Sequence, residues 1–172
     1  FGKLFPCPNS DPFRRYKGII GLYPDEYKMS WAGITKNGTT ASAISAVKNA
    51  IERGYGWVTI WGGYGLAKTL ILKTAVAEYV HSSKNPAAYT RMAEIIDHLR
   101  GAFDEYDPSS ESNARLDLWS ELPLLCIDEF DRVRATEYAN ERRFVLMDRR
   151  YEAACRQKSI TIMALNANPA DM

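Results

Sequence analysis

The segment Gly62-Gly63-Tyr64-Gly65-Leu66-Ala67-Lys68-Thr69 constrains this chain more than any other. Before it stands WVTIW (57–61), an apolar run of strand length read as a buried strand. After it comes LAKTLILKTAVAEYVHS, of helical length and apolar on two sides. A strand that turns through glycines directly into a helix brings backbone N–H groups and the helix N-terminus to one point, which suits an anion. In the phosphate-loop pattern G-x-x-x-x-G-K-[ST] the lysine reaches terminal phosphates and the hydroxyl binds Mg²⁺. Gly62, Lys68 and Thr69 match that pattern, and Ala67 stands where it has glycine. A helix-like backbone at position 67 accommodates the methyl group without strain. The plainer alternative is a tight turn that only lets the strand enter the helix, with Lys68 exposed.

A second element favours the phosphate reading. LPLLCIDEFD is an apolar strand that ends in Asp128-Glu129. In nucleotide hydrolases a carboxylate at the end of the strand beside the loop holds Mg²⁺, and the next acid polarises the attacking water. An isolated acidic pair more often caps a helix or stays solvated. An apolar strand, an acidic pair and an upstream loop rarely coincide by chance. Thr69 and Asp128 are therefore the candidate metal ligands, with Glu129 beside them. SITIMALN closes a fourth strand at Asn166. Ligands of open α/β sheets lie beyond the carboxyl ends of the strands, where an amide can orient water or touch a γ-phosphate. The alternative for Asn166 is a turn former ahead of Asn168-Pro169.

The remaining segments alternate. NGTT opens a helix that carries Ile44, Val47, Ala50 and Ile51 on one face and stops at Gly54. AAYT (87–90) reads as a strand before the helix RMAEIIDHLRGAFDEY, and DPSSESN as a turn cluster. Leu116, Leu118, Trp119 and Leu122 mark a short helix, and Pro123 opens the strand LLCID. A long helix follows, with Tyr138, Phe144, Val145, Leu146, Met147 and Tyr151 as its apolar positions. This order predicts a three-layer αβα sandwich around a parallel sheet. Residues 1–35 read as an irregular leader lying on the main domain, which spans 36–172.

Composition sets outer bounds. The chain has 172 residues, 46% hydrophobic and 25% charged, which excludes a disordered tail, a collagen-like repeat and a disulfide miniprotein. Lys plus Arg number 22 against 21 Asp plus Glu, so overall charge makes no case for a nucleic-acid partner. The three cysteines are far apart, which suits reduced thiols, and neither a membrane span nor a secretion signal is visible. A soluble intracellular protein is expected. Phe at position 1 suggests that the chain begins inside a longer reading frame.

YPDEYKMSWAGI, WVTIWGGYGLAKT, RMAEIIDHLRGAF, LPLLCIDEFD and FVLMDRRYEAACRQKSITIMALN stand in an order that resembles the AAA+ ATPases. Within them it resembles the DnaC-type helicase loaders of bacteria and phages and the IstB-type transposition ATPases. The resemblance implies a P-loop NTPase core that uses ATP and Mg²⁺. Gly62, Gly63, Tyr64, Gly65, Leu66, Ala67, Lys68, Thr69 and Leu70 would cradle the nucleotide. Lys68 and Thr69 correspond to Walker A, Asp128 and Glu129 to Walker B, and Asn166 to sensor 1, with Lys68, Glu129 and Asn166 as the catalytic set. It further implies a cytoplasmic bacterial or phage-encoded homo-oligomer on single-stranded DNA, acting with a replicative helicase, or with a transposase in the alternative.

In that family the arginine finger, sensor 2 and the helical lid follow sensor 1. The chain ends six residues past Asn166, so the lid is expected to be missing and ATP hydrolysis weak or absent in this fragment. Arg91, His98 and Arg100 are candidate strand contacts, although a solvated mixed-charge face explains them too. Arg142, Arg143, Arg149 and Arg150 form a basic cluster for a neighbouring subunit or DNA, or an ordinary surface helix with Glu–Arg pairs. Cys7 has Ser10 where a second zinc-binding thiolate would stand, so it reads as a lone cysteine.

Overall fold

In the computed structural model, which describes residues 22–35, 37–101 and 108–171, four strands form one parallel sheet. They are β1 (Gly56–Trp61), β2 (Ala87–Arg91), β3 (Leu124–Asp128) and β4 (Ile160–Leu165), in the spatial order β1-β4-β3-β2. Parallel neighbours cannot be joined by a hairpin, and the crossovers are helical. The helices are α1 (Gly38–Arg53), α2 (Lys68–Ser83), α3 (Met92–Arg100), α4 (Pro108–Glu121) and α5 (Glu137–Cys155). Cys7 and the Ala102–Tyr106 end of the predicted helix lie outside the described residues.

Strand alternation divides the core in two. Leu124, Cys126, Ile160 and Ile162 face α1 and α2, while Leu125, Ile127, Met163 and Leu165 face α3, α4 and α5. β3 and β4 are buried along their whole length, as their continuous apolar runs predict. β1 differs from its expected burial. It lies at the edge of the described sheet with β4 as its one partner, and Trp61 is 54% exposed.

Local chemistry sets the helix ends. Asn37 Oδ1 accepts the Thr40 N–H (2.9 Å) while Thr40 Oγ1 accepts the Asn37 N–H (2.8 Å), a reciprocal cap that starts α1, and Gly54 ends it. The predicted turn DPSSESN proves largely helical. Pro108 takes the first position of α4, where its fixed φ and missing N–H do no harm.

In α5 one stripe faces inward, formed by Ala139, Leu146, Arg150 and Ala154. The long helix stands as expected, and of its apolar positions Phe144 and Tyr151 lie off that stripe and are exposed. Arg150, read as part of a surface cluster, is wholly buried. Its guanidinium donates to Thr161 Oγ1 (2.7 Å) and to the carbonyls of Trp119 (3.0 Å), Ser120 (3.2 Å), Leu122 (3.0 Å) and Ile160 (2.6 Å). It therefore ties the end of α4 to the start of β4. Arg149 pairs with Asp117, and Arg142 and Arg143 lie over the rings of Tyr138 and Phe130.

Residues 22–35 hold two 3₁₀ turns, Glu26–Lys28 and Trp31–Gly33. Leu22 and Ile34 are buried in the core on the α1–α2 side. Glu26 pairs with Lys73 of α2 at 2.5 Å, and the Tyr27 carbonyl lies 2.9 Å from His81 Nε2.

Candidate nucleotide site

Because the strands are parallel, the C-terminal ends of β1, β3 and β4 open along one rim of the sheet. The loop from Gly62 to Ala67 leaves β1 there and enters α2. Its conformation needs glycine at two places. A Cβ on Gly62 (φ +144°) would lie 2.7 Å from Leu66 Cδ1, and Gly65 has φ +77°. Ala67 does not take the helix-like backbone that would suit it. It sits left-handed at φ 56°, ψ 19°, which costs a non-glycine residue about 1–2 kcal/mol. Four described non-glycine residues have positive φ. Lys84 and Gln157 are at helix ends, where that conformation is ordinary, whereas Ala67 and Glu129 border the same cleft. Left-handed non-glycine residues away from helix C-termini are thus found on the two loops that face each other across this cleft, and backbone strain of this kind clusters at functional sites.

The polar side chains converge at this rim. Lys68 is buried rather than exposed, and its Nζ donates to the carbonyls of Gly62 (2.6 Å) and Gly63 (2.7 Å). Asp128, at the end of β3, is 4% exposed. Its Oδ2 accepts the hydroxyls of Thr69 (2.5 Å) and Tyr89 (3.0 Å), and its Oδ1 accepts the Glu129 N–H (2.9 Å). Burial, reinforced by the neighbouring Asp128 carboxylate, pushes the Tyr89 phenol well above its ordinary pKa. Tyr89 thus remains a donor. The Lys73 ammonium lies 4.9 Å from the centre of its ring.

Glu129 is half exposed, with its carboxylate 3.5 Å from Arg91 Nε at the end of β2. Asn166 follows β4, and its backbone N–H donates to Asp131 Oδ2 (3.0 Å). A cleft of about 500 Å³ is lined by Met29, the run Tyr64 to Leu70, Lys73, Asp128, Glu129 and Asn166. Gly62 and Gly63 stand behind this lining as the acceptors for Lys68. A larger hollow of about 730 Å³ along α1 and β1, lined by Asn49, Glu52, Arg53 and Trp57, holds no comparable set of groups.

Met29 and Lys73 line the cleft, and Tyr89, Arg91 and Asp131 contact residues that do; sequence reasoning assigned none of the five to it. Their places depend on strand register, for example Arg91 beside Asp128, which no local pattern reveals. The candidate strand contacts are all engaged within the chain. Arg91 pairs with Glu129, His98 Nδ1 accepts the Trp119 indole N–H (3.0 Å), and Arg100 lies 3.7 Å from Asp97.

The arrangement fits a magnesium nucleotide. A hydroxyl and a carboxylate side by side are the hard oxygen donors that Mg²⁺ prefers. Among the described residues no group of three or more His, Cys, Asp or Glu could hold a metal alone. An ion here would complete its shell with phosphate oxygens and water. The two carbonyls on Lys68 belong to the loop itself, and phosphate oxygens can replace them.

No protein-family model and no curated protein matches the chain. Solved structures do. AMPPCP-bound DnaA from Aquifex aeolicus is 19% identical with a TM-score of 0.72, the match covering 88% of this chain and 45% of that one. The replication initiator DnaA bound to AMPPCP and single-stranded DNA is 18% identical with a TM-score of 0.72, over 87% and 44%. The DnaC helicase loader is 17% identical with a TM-score of 0.66, over 85% and 81%. The chain thus spans less than half the length of the two DnaA chains. No described helix is long and apolar enough to cross a membrane. The chain has a three-layer α/β fold around a four-stranded parallel sheet, the fold it shares with these DnaA and DnaC structures.

Proposed function

We propose that the chain binds ATP with Mg²⁺ at the cleft between the Gly62–Thr69 loop and Asp128, and hydrolyses it as the engine of a helicase loader. The observation that carries this reading is the 2.5 Å contact between Thr69 and Asp128, with Lys68, Glu129 and Asn166 on the same rim. Lys68 would exchange the Gly62 and Gly63 carbonyls for phosphate oxygens, adding charge-assisted hydrogen bonds. Thr69 and Asp128 would hold the metal, directly or through water, and the metal supplies charge neutralisation at the phosphates. Glu129 would orient and polarise the attacking water once it turns away from Arg91, and Asn166 would sit against the terminal phosphate. Residues 36–172 would carry the engine, with 1–35 as its leader.

Single-stranded DNA, a homo-oligomer and a replicative helicase are the partners this reading assigns. They are supported by the fold shared with a helicase loader and with an initiator described as bound to single-stranded DNA. The setting would be the cytoplasm of a bacterium or of a phage-infected cell. A transposition ATPase would use the same cleft, and the replication proteins among the solved neighbours favour the loader. Titration with a fluorescent ATP analogue tests the core of the proposal. Binding should require Mg²⁺ and be lost in Lys68→Ala; no Mg²⁺-dependent binding sinks it.

Two observations favour a second reading, a nucleotide-dependent scaffold with little turnover. Glu129 is held by Arg91 and Ala67 is strained. If wild type with single-stranded DNA and helicase hydrolyses ATP no faster than Glu129→Gln, the scaffold replaces the engine.

A further inference from the structure

The short 3₁₀ turn Phe130–Arg132, directly after the acidic pair, touches both walls of the cleft. On one side the Arg132 guanidinium stacks on the Tyr64 ring of the phosphate loop, 5.5 Å from its centre, and donates to the Tyr64 hydroxyl. On the other side Asp131 Oδ2 accepts two successive backbone N–H groups, from Asn166 (3.0 Å) and Ala167 (2.9 Å). Two N–H donors converging on one carboxylate oxygen fix the peptide plane between them. Such ionic hydrogen bonds are about twice as strong as neutral ones. The second oxygen of Asp131 is buried without a hydrogen-bond partner. A carboxylate serving stability alone would be expected to use both oxygens, because an orphaned buried acceptor is costly.

β4 ends at Leu165, and beyond it Asn166 has no strand to hold it in register. Asn166 lines the same cleft as Lys68, Thr69 and Asp128. Asp131 is 35 residues away in sequence and is the described side chain that holds this backbone. Small rotations of the Asn166 backbone sweep its side-chain amide across the cleft, so whatever fixes the backbone also fixes what the amide reads.

We propose that Asp131 is the positioning residue for Asn166, and that through it the protein distinguishes a nucleoside triphosphate from a diphosphate. The inference rests on the nucleotide reading above. Asp131 need not touch the nucleotide itself. By holding the turn after β4, it would keep the Asn166 amide where only a third phosphate reaches it. Arg132, one residue on, would hold the phosphate loop at a fixed distance from that amide.

Parallel titrations with fluorescent ATP and ADP analogues test this on the whole chain. Wild type should prefer the triphosphate. Asp131→Ala and Asn166→Ala should each reduce that preference by about fivefold to tenfold, with ADP affinity unchanged within about twofold. The double variant should do no further harm. Asp131→Asn, equal in size and still offering an acceptor oxygen, should keep most of the preference and guards against a folding defect in Asp131→Ala. The proposal is overturned by no triphosphate preference in wild type or by a wild-type ratio in Asp131→Ala. Losses that multiply in the double variant, or an equal loss of ADP affinity, also overturn it. The nucleotide reading itself fails separately, if Lys68→Ala leaves both affinities unchanged.

Discussion

The two ends of the sheet each bury charge, and they do so in opposite ways. At the N-terminal end of the strands, Arg150 is sealed among backbone carbonyls of α4, β4 and the loop between α4 and β3. At the C-terminal end, Lys68 and Asp128 are held by a strained loop, two hydroxyls and one N–H. The partners of Arg150 cannot leave without undoing secondary structure. Those of Lys68 are loop carbonyls that an incoming anion can replace. Burial by itself therefore does not separate framework from site; the mobility of the groups that satisfy the charge does.

The largest test of this contrast is Arg150→Met. It leaves several buried carbonyls without a donor and should cost about 3–5 kcal/mol in denaturant unfolding. Lys68→Ala should behave differently, weakening nucleotide binding by at least about tenfold while changing unfolding free energy by less than about 1 kcal/mol. If the two variants were equally destabilising, the distinction between locked and exchangeable charge would collapse. Ala67→Gly sharpens it further. Relief of the left-handed strain, about 1–2 kcal/mol, exceeds the added chain entropy of glycine, about 0.5–1 kcal/mol. The variant should gain about 0.5–1 kcal/mol in thermal unfolding and bind nucleotide no worse.

The smallest effect concerns Tyr27 and Tyr89. Burial, with a lesser part from Glu26, raises the Tyr27 pKa to about 12, and Tyr89 is raised further. Unfolded tyrosines ionise near pH 10, so the stability these groups carry is complete below about pH 10 and declines as pH rises through 10 toward 12. Tyr27→Phe should flatten that alkaline decline, measured as unfolding midpoint against pH.

Much of this was legible in the sequence. The loop pattern placed Gly62, Lys68 and Thr69, and the apolar run before Asp128-Glu129 announced a buried strand whose end faces the same rim. These were readable because each motif is contiguous. The misreadings have a common origin in neighbours brought from elsewhere. Arg150 looks like its half-buried neighbour Arg149 until the end of α4 is placed against it. For Phe144 and Tyr151 the apolar type was visible in the sequence and the facing direction was not. β1 carries the same kind of apolar run as β3, yet the strand order leaves it at the rim of the described sheet. The turn residues of DPSSESN favour helix starts as much as turns, and Pro108 resolves them toward helix.

Strand order also sets a timetable. β1, which carries the phosphate loop, has β4 as its sheet partner, and paired residues such as Gly56 and Ile160 lie more than a hundred positions apart. A chain made from its N-terminus produces β1 early and completes its ladder only when β4 arrives. Contacts of such wide separation are slow to close. The nucleotide binding proposed above should therefore be the last property acquired in refolding, appearing with the docking of β4 and well after the helices have formed. Until then a strand bearing Trp57 and Trp61 has no partner among the described strands, which makes the interval before β4 docks the period of greatest exposure to misassociation.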